Sequence, residues 1–416
     1  MVRPSIVILN KGEQAESFRS LLITGKIPSS LDDAMIVNGV ESDAAAMHQP
    51  EWVFQSAANT RLFQRIVSQG RLLADVVDGR LYMGIKTGLA EAFVVDGTVG
   101  NALVANSPDS AQIIRPTVAG QDLRPWYQEN EERWLIRIPA GWTRQTIGAE
   151  LSAGDAWKWL AKSYPNLATH LSPFAAAASG RYDKGEYWWE LRSCDYYDAF
   201  DQTKIIWPDI AKLPRFSQDD AGTYLNNTAY FIPTDDQSLL GILQSRVIWF
   251  VISQISQPLR ERAGLWQYRL FPQFLERLPI PDLSSEDRVE VAGLATQLGV
   301  LTRDRYNLHR KARNRIVSDF GSPGTRLNQK LTAWWTLDFS AFRAEVKKAL
   351  KADIPVKERD QWEDFLTTNR ADHDRLAAAI VARETDLNAR VYALFALSLA
   401  DIRLIEESTK YPYGEV

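Results

Sequence analysis

The side chains in this sequence best suited to chemistry are cationic and aromatic rather than nucleophilic. Arg303, Arg305, Arg310, Lys311, Arg313 and Arg315 crowd one stretch, opposed only by Asp304. A helix charged in this way suits the phosphates of a nucleic acid or an acidic partner surface; a plain solvated face is the alternative. Lys86 and Thr87 stand between Gly84 and Gly88, where the chain can approach a phosphate closely unless the glycines only make a tight turn. Of 14 tryptophans, ten lie between Trp126 and Trp266. Rings lining a groove can stack on bases or sugars, whereas Trp188, Trp189 and Trp207, in strand-like runs, read as core.

Signatures of catalysis are missing. The sequence has no G-x-G-x-x-G, G-K-[ST], H-E-x-x-H or G-x-S-x-G. Pro208-Asp209 with Lys212 has only a faint look of a nuclease, and no Asp/Glu-x-Lys follows at a useful place. Glu190 and Asp195 lack an identifiable partner and read as solvated or salt-bridged carboxylates. One cysteine, Cys194, excludes a disulfide framework and a cysteine-rich zinc site, and His48, His170, His309 and His373 form no local metal motif. Neither a catalytic centre nor a metal site is expected.

At 416 residues, 45% hydrophobic and 24% charged, the chain has the composition of a soluble globular protein of two or three domains. Its net charge of -4 cannot draw it to DNA, so any nucleic-acid surface must be a local basic one. No stretch of about 18 apolar residues and no basic-then-apolar leader is present, so the expectation is a reducing, cytoplasmic setting without a membrane.

Several elements can be read in order. Pro4–Ser30 reads as a strand, Ser5–Leu9, followed by a polar helix. A helix is expected from about Pro50 to Asp78, with Leu62, Ile66 and Leu73 on one face and Asn59 as its cap. From Arg80 to Asp282, β-rich runs (Ala92–Val95, Trp134–Ile138, Lys204–Trp207) alternate with turn residues and with helices around Ala156–Ala161 and Ser238–Gln254. That pattern predicts an α+β domain around a mixed sheet. From Glu286 to Phe320, Val291, Leu294, Leu298, Leu301, Leu308 and Ala312 recur at spacings of 3, 4, 3, 7 and 4, a heptad-like stripe on one long helix ended by Gly321–Gly324. Leu331–Lys410 reads as mostly helical, with Leu387, Val391, Leu394 and Leu397 on a last amphipathic helix.

A succession of phrases adds a resemblance: Gly84–Asp96, Ile114–Arg124, Gly180–Arg192, Lys204–Asp209, Tyr230–Pro233, Leu240–Ser245 and Tyr268–Pro281, with a tail from Glu384 to Glu406. Each alone is weak. Their order resembles the TaqI-like C-terminal specificity (target-recognition) domain of restriction–modification type adenine-specific DNA methyltransferases, over about residues 50 to 408. The resemblance implies an α+β, mixed-sheet target-recognition domain at 50–283, preceded at 1–49 by a remnant of, or linker from, a methyltransferase-like domain whose last strand would be Ser5–Leu9. A long heptad-like helix at 284–323 and a helical C-terminal region at 324–416 follow. Such enzymes carry a cofactor-binding glycine motif and an Asn-Pro-Pro-Tyr/Phe tetrapeptide upstream, and this sequence contains neither. S-adenosylmethionine is therefore expected on a catalytic part absent from this chain.

The function so implied is sequence-specific reading of double-stranded DNA in a restriction–modification or phage-defence system. The expected partners are a methyltransferase and, as a further candidate, a nuclease domain or subunit. Arginine is the best single tool for such reading, because its planar fork bonds two acceptors on guanine. Within the family-like phrases the candidate DNA contacts are Lys86, Thr87, Arg115, Arg124, Arg181, Lys184, Arg192, Lys212, Arg215 and Arg269; the basic helix adds Arg310 and Arg313. Arg181 and Lys184 flank Tyr182 on a loop suited to groove insertion, or else are solvated loop charges, and Arg269 has a buried pairing with Glu276 as its alternative. Two other readings stay open: an intact enzyme with an unrecognised site, and a protein-interaction subunit that does not read DNA.

Overall fold

Two neighbouring strands organise the centre of the molecule. In the computed structural model, which describes residues 16–21, 23, 28–44, 56–105, 108–129, 132–220, 222–322 and 324–415, Lys204–Pro208 pairs antiparallel with Ala229–Pro233, Ile206 opposite Phe231. Side chains on a strand alternate between faces, and here both faces are buried. Ile205, Trp207, Tyr230 and Ile232 enter one apolar core, while Ile206, Ala229 and Phe231 enter a second. A sheet covered on both sides explains why these strands read as continuous apolar runs. Ser217–Asp219 and Tyr82–Met83 complete this antiparallel sheet of four.

The expected mixed sheet lies beside it. Tyr224–Leu225 runs parallel to Ile114–Val118, which pairs antiparallel with Trp134–Ile136 and so with Val94–Val95. A hairpin, Pro258–Arg262 and Leu265–Arg269, adds Ile210–Ala211, and Pro279–Pro281 pairs with Gly70–Leu72.

The first core gathers helices Ala57–Val67, Gln237–Leu243 and Arg246–Ile255 with the N-terminal half of the long helix and the end of the chain. A third core joins Ala312 and Ile316 to Trp334, Phe342, Val346, Trp362 and Leu366. The long helix, Ser285–Phe320, starts in a capping box in which Ser284 Oγ accepts from the Asp287 amide at 3.1 Å. Its stripe is filled from within the chain: Val291, Leu294, Leu298 and Ala312 are buried, and the helix packs on Arg359–Leu394 and Gln237–Leu243. Gly241 permits the close crossing, since a Cβ there would lie 2.8 Å from Val291 Cγ1. Among the described residues no single helix is long and apolar enough to cross a membrane, and the pair Gln237–Leu243 and Arg246–Ile255 is bent by 58°.

Some elements differ from the sequence expectations. The Ser5–Leu9 strand lies outside the described residues; beyond it, the polar stretch holds a strand, Ser17–Ser20, paired with Val40–Asp43, and the helix comes later, at Leu31–Asn38. The helix of the 50–78 region stops at Val67 and is capped by Ser56, whose hydroxyl accepts from the Asn59 amide at 3.1 Å. Ala90–Phe93 is a helical turn and only Val94–Val95 is strand. Ser245 breaks the 238–254 helix by capping its second half. Leu387, Val391 and Leu394 belong to the long helix Arg359–Leu394, and the last helix is Leu399–Thr409.

Candidate nucleic-acid interface

The loop from Gly180 to Arg192 is held by opposite charges on its two backbone polarities. Arg181 is buried and donates to five carbonyls: Ala178 at 3.3 Å, Asp183 at 3.1 Å, Trp188 at 2.7 Å, Glu190 at 2.9 Å, and Thr87. Its guanidinium also lies 4.2 Å from the Phe93 ring centroid. Burial, partly offset by Asp183, lowers its pKa to about 10. Glu190, fully buried, accepts from four backbone amides: Gly141 and Thr143 at 3.0 Å, Glu186 at 2.9 Å and Tyr187 at 3.4 Å. It is thus neither solvated nor salt-bridged, as its sequence reading had it, but a clamp on amides. Gly185 is required where Glu190 and Ala140 close on it, because an added Cβ would meet both within 2.8 Å.

Thr87 is buried, and its carbonyl serves Arg181. The flanking glycines have structural reasons: a Cβ on Gly84 would lie 1.9 Å from the Asn226 carbonyl oxygen, and Gly88 has φ +69°. Lys86 and Arg192 both face the buried Asp183, at 3.0 and 3.6 Å, with about half of each cationic side chain still exposed. Lys184 donates to the Ser179 carbonyl at 2.5 Å and is exposed. Lys86, Thr87, Arg181, Lys184 and Arg192 thus form one cluster in which Arg181 is the internal staple and the three outer cations face water.

A second cluster lies where the sheets meet the long helix. Tyr127 and Tyr306 pack with ring centroids 5.2 Å apart, and Arg310, exposed, lies 5.7 Å from the Tyr306 ring. Around them, burial holds Arg215, Arg305 and Arg313 below the ordinary arginine range, with Tyr127 among the charges acting on each of them. Burial and then Glu129 push the Tyr127 hydroxyl up to about 12. Arg124 bonds Glu129 at 2.7 Å, Arg313 donates to the Thr332 carbonyl at 2.9 Å, and Lys212 faces Glu415 at 3.5 Å. The Nε of Arg215 is buried without a hydrogen-bond partner.

Arg115 and Arg269 stand apart from both clusters. Arg115 reaches Asp201 at 3.9 Å, and Arg269 reaches Asp209 at 3.7 Å beside the Phe271 ring, so its acidic partner is Asp209 and not Glu276. Asp209 and Lys212, read together as a faint nuclease signal, have separate partners in Arg269 and Glu415. Trp126, Trp189, Trp207 and Trp249 are buried, which decides for packing over groove lining at those positions. Sequence reasoning missed Arg137, which lies over the Tyr197 and Tyr224 rings at 5.2 and 5.4 Å, and the pair His309 and His373, whose ring nitrogens meet at 2.9 Å. The basic run around His309 was the only hint of the latter.

The α+β body thus carries two groups of cations, one around Arg181 and one around the Tyr127–Tyr306 ring pair. Comparison with known proteins finds that residues 115–280 match the TaqI-like C-terminal specificity domain. The match takes in the mixed sheet except Val94–Val95, the central strand pair and the 180–192 loop, and leaves the Gly84–Asp96 phrase outside. Residues 284–391 match a domain of unknown function, DUF8810. Among solved structures, the Type IIL restriction-modification enzyme MmeI in complex with DNA is similar at 12% identity and a TM-score of 0.36, over 79% of this chain and 35% of that one. The chain thus spans about a third of that enzyme's length. No curated protein matches it.

Proposed function

We propose that the chain reads a short sequence in double-stranded DNA for a restriction–modification or phage-defence adenine methyltransferase. In this reading it acts in the cytoplasm and positions the target adenine for transfer by a catalytic domain or subunit absent from this chain. The observation that carries the reading is the specificity domain at 115–280, which contains most of the two cationic clusters. Phosphate contacts from such clusters give grip and register, and side chains at base edges give discrimination. An adenine amino group inside the stack is out of reach of a methyl donor, so the base must leave the helix, and a module gripping both flanks of the site favours that exit.

The methyl donor expected in such a system is S-adenosylmethionine, and two cavities among the described residues are poorly suited to it. The larger described cavity, about 530 Å³, is lined by Asn101, Val104, Ala105, Ala111, Ile114, Arg115, Pro116 and Trp134, with no carboxylate for ribose hydroxyls. The smaller, about 310 Å³, has carboxylates in Asp236 and Asp282, but Asp236 already caps a helix and bonds Arg288 at 2.7 Å. In this reading transfer belongs to the partner. The alternative, a subunit that binds partners without reading DNA, draws on the basic helix and the heptad stripe; the stripe is filled within the chain, and the basic face remains exposed at Arg310 and Lys311.

The test is binding of the purified chain to a randomised duplex pool at two salt concentrations, with sequencing of the retained DNA. The expected result is an enriched short motif and a steep fall in affinity with salt. Binding without enrichment, or none, would overturn sequence reading by this chain alone.

A further inference from the structure

Tyr182 is 97% exposed, the most exposed of the large hydrophobic side chains on the described surface. A large ring held wholly in water costs solvation, and loops usually spare that cost by folding the ring down. Here the backbone beside it has no such freedom. Arg181, immediately before Tyr182, is fixed by its five carbonyls, and the amides at 186 and 187 are fixed by Glu190. The Lys184 amide closes the turn on the Tyr182 carbonyl at 3.0 Å. A buried cation and a buried anion thus immobilise the loop that carries an unburied ring. Its neighbour Asp183 is buried and meets Lys86 and Arg192, and Lys184, two residues on, is exposed and bonds the Ser179 carbonyl.

An aromatic face on a rigid support, with exposed cations on the same loop and on the segment beside it, is an arrangement suited to stack on a nucleobase while ammonium and guanidinium groups meet nearby phosphates. Rigidity matters because an immobilised ring loses little conformational entropy on contact. We infer that Tyr182 is a base-stacking contact of this chain, seated against a base that is partly unstacked in the bound duplex. The inference rests on the DNA-reading function proposed above and names a residue of its interface.

The experiment compares the full chain with Tyr182→Ala and Tyr182→Phe on two probes: the duplex enriched by the wild-type chain from a randomised pool, and a random-sequence duplex of the same length. 2-Aminopurine is placed in turn at each adenine of the enriched site. The expected result for Tyr182→Ala is an affinity loss of roughly 10- to 100-fold on the enriched duplex. Its salt slope and melting temperature should stay unchanged, because the ring carries no charge and supports no core. Tyr182→Phe keeps wild-type affinity, and at least one 2-aminopurine position changes its fluorescence with wild type and Phe but not with Ala. If the wild-type chain enriches a motif and Tyr182→Ala binds it equally well, the stacking contact falls and DNA reading stands. If Tyr182→Ala instead impairs only capture of a methyltransferase subunit, the ring is a protein contact and the inference falls. If the wild-type chain binds no duplex, both fall.

Discussion

Lys204 Nζ lies 2.5 Å from Asp219 Oδ2, with neither side chain reached by water. The ammonium also donates to the Phe200 carbonyl at 2.6 Å and the Gln202 carbonyl at 3.3 Å, while the carboxylate accepts from the Thr223 amide at 3.0 Å. The pair ties the start of one central strand to its neighbour and to the turn beyond. Removing one member leaves the other charged and stranded in the interior. Lys204→Met is expected to lower the unfolding free energy by about 3–5 kcal/mol, with Asp219→Asn similar in direction. Urea unfolding of the two variants checks this; a loss under about 1 kcal/mol would mean that water reaches the pair.

Arg181 should behave as a structural residue. Its fork serves carbonyls on both sides of the loop, a geometry that an ammonium on a flexible stem does not reproduce. Arg181→Met is expected to cost about 3 kcal/mol of stability, and Arg181→Lys to recover less than half of it. Hydrogen exchange at residues 182–190 would rise in both. A fully stable Arg181→Met that lost only DNA affinity would make Arg181 a direct contact instead.

The His309–His373 pair predicts an acid dependence. Burial, followed by the charges of His373, Arg313 and Arg305, holds His309 at about 3, below its ordinary 6.5, and burial and then Arg305 lower His373 as well. The unfolded chain takes up protons below about 6.5 that the folded chain refuses, so stability is full above that pH and declines as pH falls. The slope reaches at most about 1.4 kcal/mol per pH unit for one such group. Unfolding measured between pH 7 and 5 should show a shallower decline in His309→Gln than in wild type. Equal slopes would take His309 out of the acid dependence and leave it to His373 or to carboxylates.

Arg310 and Lys311 are exposed on the long helix and carry no burden of packing beyond the Tyr306 ring. Replacing each by Ala should reduce the salt slope of duplex binding by about 1 per lost phosphate contact, equally on enriched and random duplexes, at constant melting temperature. A change in the enriched motif would instead mean base contact.

Periodicity carried the reading of this fold furthest where burial is one-sided or continuous. The stripe from Val291 to Ala312 was visible because its apolar residues repeat with the helix period, and the run Lys204–Trp207 because it is apolar without interruption after Lys204. The specificity-domain resemblance was legible in the order of short phrases, of which Lys204–Asp209 supplies a central strand and Tyr268–Pro281 reaches two smaller sheets. What stayed hidden depends on partners distant in sequence. Nothing local marks Lys204 or Glu190 as buried, and Arg246, which reaches Thr409 at 3.0 Å and the Tyr411 carbonyl at 2.5 Å, gives no hint of either across more than 160 positions. Arg181 misled for the same reason: a loop arginine beside an exposed tyrosine looks like solvent, and only the fold shows its donors consumed.

The central strand pair has a bearing on how specificities could be exchanged between relatives. Ile205, Trp207, Tyr230 and Ile232 lie within the matched segment but share their core with residues of helices outside it, among them Leu62 and Ile66 before it and Val291 and Leu298 after it. A graft of 115–280 alone would carry a raw apolar flank into its new host, so the natural unit of exchange is smaller. On the function proposed here the cationic clusters, above all the loop at 180–192, would change their reading while the two-faced sheet beneath them stays the same, much as type is reset in a fixed forme.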